Sequence, residues 1–309
     1  MTYRMAIIGL GKIAWKYDFL SKGMTGLTHL TAAKASGFFK NIFFCDTDTK
    51  AANEFAIATG NQVYNSIEDL PHSLDLIVIS TSTNRHLDSL QRAIVLSPKI
   101  ILLEKPISYS KEEIDKIALL AEGTNIQFFV NFQRRVEPTI LGLATQITAG
   151  ELGSNFDAIF TFSGTYIEQG FHAWDLADLL FRLDTKNGYA IRDSERLMTW
   201  HQQGLSAFFL SLRTEVSVFQ FEVFGDEMHI KYTSGKGLTI SKRTTSRDFA
   251  ALHVYELDFE KRAVSEGLDF VYKNLINQLE FGRSSLLSLH EASITGRSFT
   301  GILESKNEI

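Results

Sequence analysis

His172 stands four residues after Glu168 in the stretch IEQGFHAWDL, residues 167–176. Across one helical turn that spacing puts both side chains on one face. The carboxylate can then orient one ring nitrogen and stabilise an imidazolium, while the ring exchanges protons near neutrality. Gly170 between them either lets backbone approach a ligand or breaks the turn. Lys105, in Glu104-Lys105-Pro106, offers a different chemistry: an ammonium that can hydrogen-bond a reacting oxygen and stabilise alkoxide-like charge, its direction set by a cis or trans bond to proline. Each residue also has a plainer reading. A histidine beside Phe171 and Trp174 suits a partly buried structural position, and a lone lysine suits a surface.

A third group stands near the front, in MAIIGLGKIA, residues 5–14. Gly9 permits a tight strand-to-helix turn, Gly11 lets backbone approach a pyrophosphate, and Ala14 is small enough for close helix–strand packing. Free N–H groups at the helix start would hold phosphates. Asp46, ending the apolar run FFCD, can accept both hydroxyls of an adenine ribose or simply serve a surface turn or N-cap. In the ribose-binding role its charge disfavours a 2′-phosphate, so NAD is expected before NADP. Thr81, Ser82, Asn84 and His86 follow the strand-like LDLIVIS; they line a cofactor channel or cap the next helix.

RMAIIG, KNIFFCD, LDLIVIS and KIILLEK read as strands alternating with helices such as LTHLTAAKAS and TDTKAANEFAIATG, the latter capped by Thr47 or Asp48. The pattern predicts a doubly wound parallel sheet over residues 1–124, interrupted by a loop at 18–28. After about residue 125 the runs FDAIFTFSG, FFLSLRT, VSVFQFEVFGDEMHIKY and ALHVYELDFE predict an α+β domain on a largely antiparallel open sheet, with Gly225-Asp226 as a hairpin turn and two closing helices, over 125–309. A cleft between two such domains is the natural place for a site.

The chain has 309 residues, of which 44% are hydrophobic and 22% charged, enough for two moderate cores. With 31 basic and 36 acidic residues, net −5, it offers no electrostatic case for nucleic acid or an anionic membrane. No stretch of 18 consecutive apolar residues and no basic-then-apolar leader is present, and the single cysteine, Cys45, suits a reducing compartment; cytoplasmic residence is the expectation. His172, His201, His229, His253 and His290 lack the short spacings of a zinc site, so no metal is expected. An uncovered apolar face among the Phe-rich strands would pair subunits about a two-fold axis.

These motifs together resemble the Gfo/Idh/MocA oxidoreductases, the family of glucose-fructose oxidoreductase and inositol dehydrogenase. The likeness rests on Gly9 to Ala14, Asp46, the stretch STSTNRH with Ser82 where the family has proline, EKP, VNFQRR, IEQGFHAWDL and the closing LHEASITGRSF. It implies a nicotinamide dinucleotide held by Gly9, Gly11, Lys12, Ile13, Asp46, Thr81, Ser82, Asn84, His86, Glu104 and Lys105. It also implies hydride exchange with a sugar, sugar nucleotide or cyclitol, and a homodimer or homotetramer formed through the second sheet. Lys105 and His172 fall on the family's catalytic lysine and histidine; Glu168 falls on its partnering aspartate, one methylene longer. Asn131, Arg134 and Asp175 are substrate-side candidates, although Asp175 can equally face solvent and Arg135 can pair with surface carboxylates. A guanidinium suits a diphosphate or a sugar acid. Two other outcomes stay open: a tightly held NAD assisting a non-redox step such as glycoside cleavage, and a ligand-binding homologue without turnover.

Overall fold

The computed structural model describes residues 2–20, 26–192, 194–249, 251–262 and 267–304. Part of the expected loop at 18–28, residues 21–25, lies outside them. The chain divides into two compact units, Met1–Val136 with Gly267–Thr300, and Glu137–Glu266 with Gly301–Ile309.

In the first unit β1 (Tyr3–Ile8) leads into a π-helical turn (Lys12–Lys16), α1 (Tyr17–Leu20) and α2 (His29–Ser36). Next come β2 (Phe39–Cys45), α3 (Thr49–Thr59), β3 (Val63–Tyr64), β4 (Leu76–Ile79), α4 (His86–Val95), β5 (Ile100–Leu103), α5 (Lys111–Ala121) and β6 (Gln127–Val130). Asp48, not Thr47, caps α3: its carboxylate accepts the Lys50 N–H at 2.9 Å. β1 to β6 pair in parallel. β4 and β5 are buried along their whole length, which is why their sequences are uninterrupted apolar runs rather than alternating ones. In the sheet, β1 lies between β4 and β2. The winding direction therefore reverses between β1 and β4, and the Gly9 turn and the Ser80–Asn84 segment leave neighbouring C-terminal strand ends, the place where such sheets hold ligands.

The second unit contains α6 (Pro138–Thr148), β7 (Phe156–Ser163), α7 (Phe171–Phe181), β8 (Tyr189–Arg192), β9 (Leu197–Gln202), β10 (Leu205–Leu212), β11 (Phe219–Gly225), β12 (Met228–Thr233), β13 (Gly237–Thr245) and β14 (His253–Arg262). The last three elements are α8 (Asp269–Phe281), β15 (Leu287–Ser288) and α9 (Leu289–Glu304). The second sheet runs β14-β13-β12-β11-β7-β10-β9-β8, antiparallel except for the parallel pair β7/β10. Its core is aromatic: Phe160 stacks on Phe209 with centroids 5.1 Å apart and meets Phe221 at 5.5 Å and Phe181 at 6.3 Å.

Two expectations need correction. The boundary does not fall at 124, because β6 extends the first sheet beside β5 and β15 then pairs antiparallel with β6. Nor do both closing helices belong to the second unit: Leu268, Val271, Tyr272 and Leu275 are buried in the first core. The amphipathic face of α8 is spent on a sheet more than a hundred residues earlier in the chain, a pairing that local pattern does not reveal. The β11–β12 hairpin exists, but it turns at Asp226-Glu227, since Phe224 pairs with His229. Gly225 still pairs with Phe156, and a side chain there would run into the Leu152 carbonyl.

Candidate active site

The glycine turn is shaped by two different needs. Gly9 has φ +89°, and a Cβ there would lie 2.6 Å from the Thr81 nitrogen, so both conformation and the close passage of β4 exclude any side chain. Gly11 has φ −82°, which any residue adopts, and a Cβ there would meet nothing within 4 Å. Among the described residues the space in front of Gly11 is open, and no side chain caps the helical turn that begins at Lys12. Asp46 is fixed at the tip of β2, its Oδ2 accepting the Leu10 N–H at 2.7 Å and its Oδ1 the Asp48 N–H at 2.9 Å. Each oxygen keeps a second lone pair for a hydroxyl. Open space, uncapped N–H groups and an anchored carboxylate together fit a dinucleotide at this turn. Lys12 is exposed and Ile13 half-buried beside it.

At the end of β4, Thr81 is half-buried, its hydroxyl 3.4 Å from that of Ser89, and Ser82 donates to Asn84 Oδ1 at 2.7 Å on the exposed side. His86 departs from the expected cofactor contact. It is 1% exposed, with Nδ1 3.1 Å from the Ile107 carbonyl and Nε2 3.2 Å from the Thr81 carbonyl. It braces the loop after β4 against the loop after β5, and burial holds its pKa below the ordinary value even though both carbonyls favour a proton.

Glu104 is likewise no surface ligand but the centre of a buried network. Its Oε1 accepts from His29 Nε2–H at 2.9 Å and from Asn131 Nδ2–H at 2.6 Å, and its Oε2 accepts the Lys105 N–H at 3.2 Å. An ionised carboxylate is acceptor-only, so Nε2 must carry the His29 proton. The other ring nitrogen, Nδ1, lies 3.2 Å from the Tyr272 hydroxyl. Burial pushes the Glu104 carboxyl up, but the His29 hydrogen bond and charge, Asn131 and the nearby Lys105 outweigh it, and the net shift is downward. Burial, with Glu104 adding, pushes the Tyr272 phenol well above its ordinary value. Lys105 follows, half-buried, joined to Pro106 by a cis bond. Among the described residues Asn131 Oδ1 is buried without a hydrogen-bond partner, and Arg134 lies half-buried in the short helical turn Gln133–Val136. His29 and Tyr272 escaped the sequence reading. They lie 75 and 168 positions from Glu104, and nothing in a lone apolar-helix histidine marks its partner.

In the second unit a π-helical turn, Tyr166–Gly170, runs directly into α7. This turn is wider than the α-helical one the i, i+4 expectation assumed. Glu168 is exposed and closes a capping box: its Oε2 accepts from the Thr165 N–H at 3.2 Å and hydroxyl at 3.1 Å. His172, 8% exposed, sits in the first turn of α7, its ring edge-on to Phe219 with centroids 6.3 Å apart. Asp175 is 1% exposed, so the solvent-facing reading is excluded.

Residues 3–132 match the model of the oxidoreductase family with an NAD-binding Rossmann fold, GFO_IDH_MocA. The match covers the parallel-sheet unit and ends just after β6. It is 26% identical over 192 residues to the rhizopine catabolism protein MocA of Rhizobium meliloti, covering 56% of this chain and 55% of that one. To the scyllo-inositol 2-dehydrogenase (NAD(+)) of Bacillus subtilis it is 25% identical over 198 residues, 57% of this chain and 53% of the other. The chain spans about half the length of these curated relatives. The WlbA dehydrogenase of Bordetella pertussis, solved with NADH and UDP-GlcNAcA, shares the fold. Its TM-score is 0.69 at 17% identity, over 98% of this chain and 94% of that one. Among the described residues no helix is long and apolar enough to cross a membrane.

Proposed function

We propose that this protein is a Gfo/Idh/MocA oxidoreductase, NAD-dependent and acting on a hydroxyl-bearing or keto carbon of a sugar, sugar nucleotide or cyclitol. The observation that carries the reading is the juxtaposition, in one unit, of a glycine turn open at Gly11 with a lysine whose backbone is pinned by a buried carboxylate. NAD, when bound, accepts or returns a hydride at nicotinamide C4. The backbone around Gly11, Lys12 and Ile13 holds the pyrophosphate, and Asp46 holds the adenine ribose while repelling a 2′-phosphate. Lys105 stabilises the charge that develops on the reacting oxygen, and His172 takes or gives the hydroxyl proton. Glu104, with His29 and Asn131 on it, keeps the Lys105 backbone in place. His86 and Glu168 act as positioning residues, the one bracing the loops after β4 and β5, the other capping the turn that leads to His172. Thr81, Ser82 and Asn84 flank the cofactor position, and Asn131, Arg134 and Asp175 stand as the substrate-side set.

The scyllo-inositol 2-dehydrogenase supports a polyol or cyclitol substrate, and WlbA, solved with UDP-GlcNAcA, supports a sugar nucleotide. Assembly through the second sheet is supported by β14, exposed along almost its whole length with Val254, Tyr255, Leu257 and Phe259 uncovered. A homodimer or homotetramer of this kind, in the cytoplasm, completes the reading. Cys45, the single cysteine, is buried, its thiol pushed by burial to about 12, as suits a protein that makes no disulfide. The test is direct. NADH titration by fluorescence should saturate and NADPH should bind more weakly, and NAD reduction against a panel of polyols and sugar nucleotides should accumulate NADH. Absence of dinucleotide binding would overturn the proposal; product without net NADH would replace it with transient-oxidation chemistry.

A further inference from the structure

One rim of the second sheet is not used by the functions assigned above. β7 and β10 are parallel neighbours, β9 runs against β10, and β8 runs against β9. The segments after β7 and β10 and the β8–β9 connection must therefore emerge at the same end of the sheet. There the chain places three arginines, Arg192, Arg196 and Arg213, around a cavity of about 540 Å³ that Thr165, Ile167 and Leu212 also line.

Three guanidinium groups on adjacent strand ends repel one another, and among the described residues that line the cavity Glu195 is the single carboxylate against them. Arg192 Nη1 donates to the Leu303 carbonyl at 3.2 Å, a neutral acceptor that leaves its charge unbalanced. Arg213 faces Glu195 at 4.0 Å, with side chains 77% and 87% exposed, a pairing that water and salt screen almost entirely. Among the described residues the Arg196 side chain makes no ion pair. A local cationic excess of this kind, in a chain of net charge −5, is a place where an oxyanion lowers the energy. The planar forks match carboxylate or phosphate, and the half-exposed Ile167 with Leu212 gives an apolar wall for a ring. Thr165 links the cavity to the candidate active site: it lines the rim and also caps the turn that runs into His172.

We propose that this rim is an anion subsite, which takes the charged end of the substrate and so selects a sugar carrying a carboxylate or a phosphate over a neutral polyol. The inference rests on the oxidoreductase reading and narrows its substrate class. It also places anion recognition apart from Arg134, the substrate-side arginine that the sequence offered.

Calorimetric titration of the full chain, with and without saturating NADH, tests it using three probes: UDP for the diphosphate source, D-glucuronate for the carboxylate source, and D-glucose as the uncharged control. At least one anionic probe should bind saturably and at least tenfold more tightly than glucose. That affinity should weaken further with added salt and fall at least tenfold in Arg196→Ala/Arg213→Ala. Arg196→Lys, which keeps the charge and loses the fork, should fall between. Anionic probes no tighter than glucose, or affinities indifferent to these substitutions, would overturn the subsite. NADH affinity measured in the same samples separates the two ideas. Tight NADH without anion selectivity rejects the subsite alone, and arginine-dependent anion binding without NADH uptake keeps the subsite while rejecting the oxidoreductase reading.

Discussion

The parallel sheet buries β4 and β5 along their whole length, and just beyond the C-terminal end of β5 the buried Glu104 accepts from both His29 and Asn131. The second sheet alternates instead: β10 and β11 bury every other residue among stacked phenylalanines, while β14 is almost wholly exposed. Covering both faces leaves only the strand ends for chemistry, so polar side chains there must be hydrogen-bonded with care. Covering one face leaves a second open for assembly, and ionisable side chains such as Glu222 and His229 sit within its strands.

The contrast can be broken by substitution. Phe160→Ala removes a ring from the centre of the aromatic layer and should cost about 3–5 kcal/mol in urea unfolding. A loss below about 1 kcal/mol would mean that the second core does not depend on this stack. Gly9→Ala should cost about 3 kcal/mol, because it forces both a strained φ and an overlap with the Thr81 backbone. Gly11→Ala sharpens the point: its thermal midpoint should stay near that of the parent while NADH binding weakens severalfold, since the added methyl enters open space where the pyrophosphate is expected.

Glu104→Gln should cost about 2 kcal/mol at pH 7 by leaving the converging donors without a full complement of acceptors. The folded-state pKa of Glu104 lies below its ordinary 4.5, so the carboxylate's contribution is complete above that value and is lost as pH falls through the folded one. Denaturation at pH 7 and at pH 4 should therefore show the gap between wild type and variant narrowing in acid. The smallest effect on stability belongs to β14. Leu257→Glu should change monomer stability by less than about 0.5 kcal/mol yet shift the mass seen by light scattering, and an unchanged oligomer would remove β14 from the interface.

Much of the first unit was legible because short-range signals suffice there. Four strands, the glycine turn, Asp46 and EKP are all read from runs of a few residues. The second sheet was legible as a class but not in detail: β8, β9 and β13 are short or mixed in polarity, and their places come from pairings that no local pattern encodes. The site divides the same way. The positions of Gly9, Asp46, Lys105 and His172 were named from sequence, whereas the buried roles of His86 and Glu104 depend on carbonyls, a histidine and an asparagine that only folding brings near. The π-helical turn before α7 carried no composition signal, and it changed the expected geometry of Glu168 and His172.

The return of residues 267–300 to the first unit has a consequence for how the protein is made. Leu268, Val271, Tyr272 and Leu275 complete the core beneath the dinucleotide turn, yet they leave the ribosome well after β6 has been synthesised. At roughly 5–20 residues per second, the motif-bearing N-terminal segment waits on the order of 10–30 s with an apolar flank uncovered. During that interval the nascent chain is a natural client for chaperones, and a premature stop upstream of α8 would leave the nucleotide-binding half unfinished rather than merely lacking its neighbour.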